Sequence, residues 1–140
     1  MKRIAILLGF TSILACSVGE GPTMLAGDNC QSCHAGDQAS ALGAHVWTVA
    51  GTVYGAPDAD ENAGKKDVLV HLTDSRNVKL TLRTNGAGNF YTAESLTFPL
   101  QACVEAGGLT HCMQAATRGS CNECHTVPSQ NQAPGRVAAP

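Results

Sequence analysis

Cys-Gln-Ser-Cys-His at residues 30–34 returns as Cys-Asn-Glu-Cys-His at residues 121–125. Whatever folds between these motifs must deliver two chemically matched ends, each with two thiols and an imidazole. Three chemistries use a Cys-x-x-Cys pair: zinc ligation, dithiol redox exchange and covalent haem attachment. A zinc tetrahedron built from Cys30, Cys33, Cys121 and Cys124 needs only thiolates and gives neither histidine a role. A redox dithiol needs a low-pKa cysteine at a helix N-terminus in a βαβ setting, and no parallel α/β pattern is visible. Haem attachment uses every position. Each thiol adds across one vinyl group, the two-residue spacer matches the separation of those vinyls, and the next residue places an imidazole under the iron. The expectation is two covalently attached haem c groups, held by Cys30 and Cys33 and by Cys121 and Cys124, with His34 and His125 as proximal ligands.

The N-terminus bears on the compartment. Lys2 and Arg3 precede an apolar run, Ile4 to Leu14, that has the length of a signal-peptide core and is too short to span a bilayer. It ends in Ile-Leu-Ala-Cys at residues 13–16, which resembles the bacterial lipobox. The resemblance implies cleavage before Cys16, acylation of its thiol and, with Ser17 following, an outer-membrane anchor on the periplasmic or cell-surface face. Removing residues 1–15 takes away Lys2 and Arg3 and leaves seven basic against eleven acidic residues, 7 − 11 = −4. No basic run exists, so nucleic acid is not an expected partner. The expected organisation is a signal peptide (1–15), a Gly-rich tether (16–29), one haem-binding domain (30–128) and a Pro-rich C-terminal tail (129–140).

Between the motifs the pattern is that of strands. HVWTVAGTVY (45–54) is β-branched and aromatic, DVLVHLTD (67–74) sets Val68, Val70 and Leu72 on one face, and VKLTLRT (78–84) alternates Val78, Leu80 and Leu82 with Lys79, Thr81 and Arg83. NFYTAE and LTFPLQACVE (96–105) add two more extended segments. The predicted fold is mainly β: a small antiparallel β-sandwich with haem-binding loops or short helices at both ends. Residues 50–92, with Gly-x-Val, Val-x-Val-x-Leu and Thr-Asn-x-x-Gly-x-Phe in order, resemble the carboxypeptidase-regulatory-like, transthyretin-like sandwich. That resemblance implies a structural module and no catalytic residue. Three Phe, two Tyr and one Trp are few aromatics for a core. Haem surface is therefore expected to fill part of the interior, and the haem-free chain to fold poorly.

Cys103 and Cys112 remain once the motifs and Cys16 are set aside, and in an oxidising compartment they are expected to form a disulfide. Distal iron ligands must come from His45, His71, His111, Met24 and Met113, or be absent. His45 follows the first motif and is the candidate there; His111 or Met113 is the candidate at the second. Arg118 and Arg136 are candidate partners of haem propionates. The two motifs together resemble a small bacterial di-haem c-type cytochrome lipoprotein, and similar sequences tilt the second distal ligand to Met113. The resemblance implies electron transfer, one electron at a time, between other redox proteins or cytochromes, from a lipid-tethered carrier that is not an enzyme. The alternatives are a haem peroxidase-like enzyme and a homo-oligomeric subunit of a stacked cytochrome filament.

Overall fold

Period-two patterning builds the larger of two sheets. The computed structural model describes residues 21–140. In it β2 (Leu69–Thr73) pairs antiparallel with β3 (Lys79–Arg83) on one side and with β5 (Leu100–Ala106) on the other, and β6 (Leu109–Ala116) completes the order β3-β2-β5-β6. Val68, Val70 and Leu72 are each 1% exposed, whereas Leu69, His71 and Thr73 are half-buried. Leu80 and Leu82 also turn inward, but Val78 sits in the turn ahead of β3 and is exposed.

The smaller sheet has the order β4-β1-β7, with β4 at Asn89–Thr92, β1 at Val49–Tyr54 and β7 at Val137–Ala138. β1 meets β4 antiparallel and β7 parallel. Val49 and Val53 of β1 and Phe90 of β4 pack with Val68, Val70, Leu72, Leu100 and Val104, so one apolar core joins the two sheets. This is the expected small, mainly β sandwich. Two short helices, α1 (Gln31–His34) and α2 (Gly36–Leu42), and a single 3₁₀ turn (Cys121–Glu123) carry the cysteine motifs and their surroundings.

Three segments differ from the reading of the sequence. The expected signal segment, the lipidation residue Cys16 and residues 17–20 lie outside the described residues, but the rest of the presumed tether is fastened to the sandwich. The Asn85 and Asn89 side-chain amides donate to the carbonyls of Pro22 and Met24, and the Gly27 N–H donates to Thr52 Oγ1 at 3.0 Å. The presumed C-terminal tail supplies β7. Arg136 N–H donates to the Pro57 carbonyl at 2.8 Å and Ala139 N–H to the Tyr54 carbonyl at 2.9 Å, and Ala139 is 8% exposed. The free edge of β1 needs backbone partners, and the alternation of Val137 and Ala139 lets the last residues provide them while burying apolar surface. The third segment is β6, where only a disulfide-closed loop was expected. Gly107 and Gly108 both take positive φ, 60° and 80°, and so close a two-residue hairpin between β5 and β6.

Candidate functional site

Each cysteine motif folds into the same single turn. His34 N–H donates to the Cys30 carbonyl and His125 N–H to the Cys121 carbonyl, both at 3.0 Å, while Cys33 and Cys124 N–H groups reach those same carbonyls at 3.3 Å. One helical turn brings residues three and four apart onto one face. The local backbone therefore gathers both cysteines and the histidine of each motif on one side; Cys30, Cys121 and Cys124 are free thiols, whereas Cys33 is disulfide-bonded.

The imidazoles are held alike as well. His34 Nδ1 donates to the carbonyl of His45 at 2.7 Å, and His125 Nδ1 donates to the carbonyl of Gly135 at 2.9 Å. A backbone acceptor at Nδ1 fixes the tautomer and leaves the Nε2 lone pair for a metal. At the second motif that nitrogen faces a thioether: His125 Nε2 lies 3.5 Å from Met113 Sδ. A cavity of about 950 Å³ opens beside them, with Cys121, Cys124, His125 and Met113 on its walls. His111, two residues before Met113 on β6, lines the same cavity, and Arg118 and Arg136 reach it from other sides. Between the two distal candidates, the fold brings Met113 to the imidazole. Cys103 and Cys112, also on the wall, are disulfide-bonded across a register pair of β5 and β6.

The other candidates are placed differently. His45 meets His34 through its backbone carbonyl, and its ring stacks on Trp47 at 5.3 Å; Trp47 also touches His34 at 5.4 Å and Tyr91 at 4.5 Å. His71 is engaged at both ring nitrogens, with Thr81 Oγ1 at 3.0 Å and Glu105 Oε2 at 2.9 Å, on the face of the larger sheet. Met24 contributes its carbonyl to Asn89. Arg118 pairs with Glu123. Arg136 is 8% exposed; its Nε donates to the Ala59 carbonyl at 2.9 Å, one terminal nitrogen donates to Tyr54 Oη at 3.1 Å, and the guanidinium lies 4.5 Å above the Tyr54 ring.

The two motifs, distant in sequence, converge on β1. Ala50 bridges Ser120 in parallel, and its N–H donates to the Gly119 carbonyl at 2.9 Å. Gln31 Nε2 donates to the carbonyls of Trp47 and Thr48, just ahead of β1. Gly51 makes the approach of the second motif possible: a Cβ there would lie 2.7 Å from the Cys121 Cβ and 2.9 Å from Phe90 Cζ. Burial pushes the Cys30 thiol up to about 11, with Asp28 adding to the rise and a backbone hydrogen bond opposing it. Burial, with the neighbouring Cys30 and Cys124 thiols, pushes Cys121 up to about 12. Both are thiols, not thiolates, at neutral pH, the reverse of what a redox dithiol needs.

Sequence reasoning missed the polar residues that make this convergence, Asn29, Ser120, Asn122 and Thr52, and the contact of Asn131 Nδ2 with Cys124 Sγ at 3.2 Å. Among the described residues, no three His, Cys, Asp or Glu side chains are grouped so as to hold a metal ion by themselves, and no helix is long and apolar enough to cross a membrane. The chain matches no protein-family model, no curated protein and no solved structure.

Proposed function

We propose that this protein is a di-haem c-type cytochrome that carries electrons one at a time between redox partners, tethered to a membrane through an acylated Cys16. The observation that carries the reading is the matched state of the two histidines. His34 and His125 each follow a Cys-x-x-Cys turn, and each spends Nδ1 on a backbone carbonyl so that Nε2 is left to a ligand.

At the second motif the donor set fits the group. Cys121 and Cys124 would supply the thiols for thioether attachment, with His125 and Met113 as iron ligands; at the first motif Cys30 would supply one thiol, Cys33 would supply the other once its disulfide is reduced, and His34 would be the ligand. When bound, haem supplies an iron that cycles between ferric and ferrous states without making or breaking a bond to substrate. The chain's own work is to orient and enclose. Gly135 and His45 hold the imidazole tautomers, and the β5–β6 hairpin presents Met113 on the wall of the cavity. Arg118, paired with Glu123 on the cavity wall, would offer a cationic group to a propionate, whereas the Arg136 guanidinium is buried and spent on Ala59 and Tyr54. A peroxidase-like reading calls for an open iron face lined by polar groups; the Met113 thioether, 3.5 Å from His125 Nε2, supports the carrier reading at the second motif instead.

The test is intact mass and a pyridine haemochrome assay on the full chain made in a host that attaches haem c. Two covalent haems per chain are expected, falling to one in the Cys121→Ala, Cys124→Ala protein. A chain with the mass of the bare or merely lipidated polypeptide overturns the proposal.

A further inference from the structure

Met113 and His111 stand two residues apart on β6, and that spacing puts them in competition for one place. Side chains alternate along a strand, so both project to the same side of the sheet, where their register partners on β5 are Ala102 and Val104. Both line the cavity, but it is Met113 whose Sδ lies 3.5 Å from His125 Nε2. If β6 slid by two residues along β5, every side chain would keep its face and His111 would stand at Ala102, in the place of Met113. A slide of one residue would turn the wrong side chains toward the core.

Two features oppose the two-residue slide. The first is the turn: Gly107 and Gly108 take φ of 60° and 80°, whereas the slid register would place Ala106 and Gly107 there and force Ala106 toward a left-handed conformation. That is a preference and not a bar. The second is covalent. Cys103 and Cys112 are register partners with Cα atoms 4.0 Å apart. After the slide Cys103 would face Thr110, and Cys112 would lie on a diagonal roughly 7–8 Å away, beyond bridging distance. The rest of the ladder gives β6 little hold. It is an edge strand, its pairing with β5 is irregular between Leu100 and Ala102, and Ala115 takes a φ of 56°.

We infer that the Cys103–Cys112 disulfide is a register lock and a redox switch: closed, it holds Met113 at His125, and opened, it lets β6 slide by two residues and puts His111 there. Cys112 is exposed, so its sulfur is open to attack. A thiolate of a dithiol reductant bonds to Cys112 sulfur, the bridge breaks, and Cys103 leaves as a thiolate that takes a proton. The second thiol of the reductant then displaces Cys112, so that two electrons and two protons pass to the protein and the reductant leaves as a disulfide. The slide concerns the chain alone. Its consequence for an iron at the second motif rests on the di-haem reading: imidazole in place of thioether lowers the potential of that site.

Nuclear magnetic resonance of the full chain reads the register directly, with haem counted separately by intact mass. The native protein is expected to show the Hα–Hα contact of Cys103 with Cys112 and that of Glu105 with Thr110. In the Cys103→Ser, Cys112→Ser protein the first pairing is lost and a contact between residue 103 and Thr110 takes its place. The native chain treated with dithiothreitol follows the same course and reverts on oxidation; because Cys33 is also disulfide-bonded, the substituted protein isolates the bridge in question. Cys103→Thr, Cys112→Thr keeps β-branched residues at the pair and serves if the serine variant does not fold. Where haem is present at the second motif, the far-red thioether–iron band falls and bis-histidine signals rise. An unchanged register with the bridge gone overturns the inference, as does loss of every β5–β6 contact in both variants, which would make the bridge a staple with no second register. Either result leaves the di-haem reading standing. A chain that slides but carries no haem overturns that reading and spares the register lock.

Discussion

Asp74 sits in the turn between β2 and β3, 4% exposed. Burial by itself would raise its pKa, but N–H groups of Thr97, Val78 and Arg76 and the Arg76 guanidinium all donate to the carboxylate and together hold it below the ordinary 3.8. A folded-state pKa below the unfolded one contributes stability that is complete above the unfolded value and is lost as pH falls through the folded one. Asp74→Asn is therefore expected to melt lower than the native protein at neutral pH. The gap should narrow below pH 3.8 and close as the folded value is passed. Thermal melts at neutral and strongly acid pH check this, and a gap that does not change with pH would refute it. Met113 allows a second prediction at this scale. Facing His125 Nε2 at 3.5 Å, it is expected to give the haem-loaded protein a far-red thioether–iron absorption band and to raise the midpoint potential relative to a bis-histidine site. Met113→Leu should lose the band and His111→Ala should keep it; a native protein that lacks the band and shows bis-histidine resonance signals would hand the ligand role to His111.

Elements show which parts of the sequence could be read in advance. The Cys-x-x-Cys-His turns were legible because their chemistry fixes residue spacing within five positions, and β2 because Val68, Val70 and Leu72 alternate cleanly. β7 was not legible: two residues of Val-Ala carry no pattern of their own and become a strand only because β1 has an edge to fill. Asn122 was hidden for a related reason, since any residue satisfies a spacer position and its partners lie far away in sequence. β6 did leave a signal in Gly107-Gly108, a pair suited to a tight reversal, but the cysteines on either side suggested a loop. Those cysteines now tie β6, an edge strand, to β5. Replacing both Cys103 and Cys112 by Ser removes a nine-residue sequence constraint and is expected to cost about 2–3 kcal/mol in the chain-entropy picture, measured by denaturant melts. An unchanged midpoint would mean that the hairpin holds without its bridge. Gly51 makes the corresponding prediction for β1. Gly51→Ala sets a methyl 2.7 Å from Cys121 Cβ and should cost about 1–3 kcal/mol by overpacking, with reduced haem occupancy at the second motif in intact mass.

At the scale of the whole molecule, the apolar core and the cavity share one wall. The core residues Val49, Val53, Val68, Leu72 and Leu100 pack on one another between the sheets, Val70, Phe90, Val104 and Ala139 belong to the core and also line the cavity, and the outer β6 strand, the second motif and the residues after it form the rest of the lining. The scarcity of aromatics suggested that a haem-free chain folds poorly throughout. The packing of the sandwich argues for a more local dependence, because Val49, Val53, Val68, Leu72 and Leu100 are buried between the sheets away from the cavity, while Met113, Cys124 and Ala133 line it. A chain with all four motif cysteines changed to serine is therefore expected to keep its β-sheet circular dichroism and slow amide exchange in β2 and β5. Exchange should quicken from residue 109 to residue 136, where the cavity walls lose their filling. Hydrogen-exchange mass spectrometry of loaded and unloaded protein measures both regions in one experiment. Uniform loss of protection would make haem the core of the entire fold, and unchanged protection around the cavity would mean that these walls stand without it.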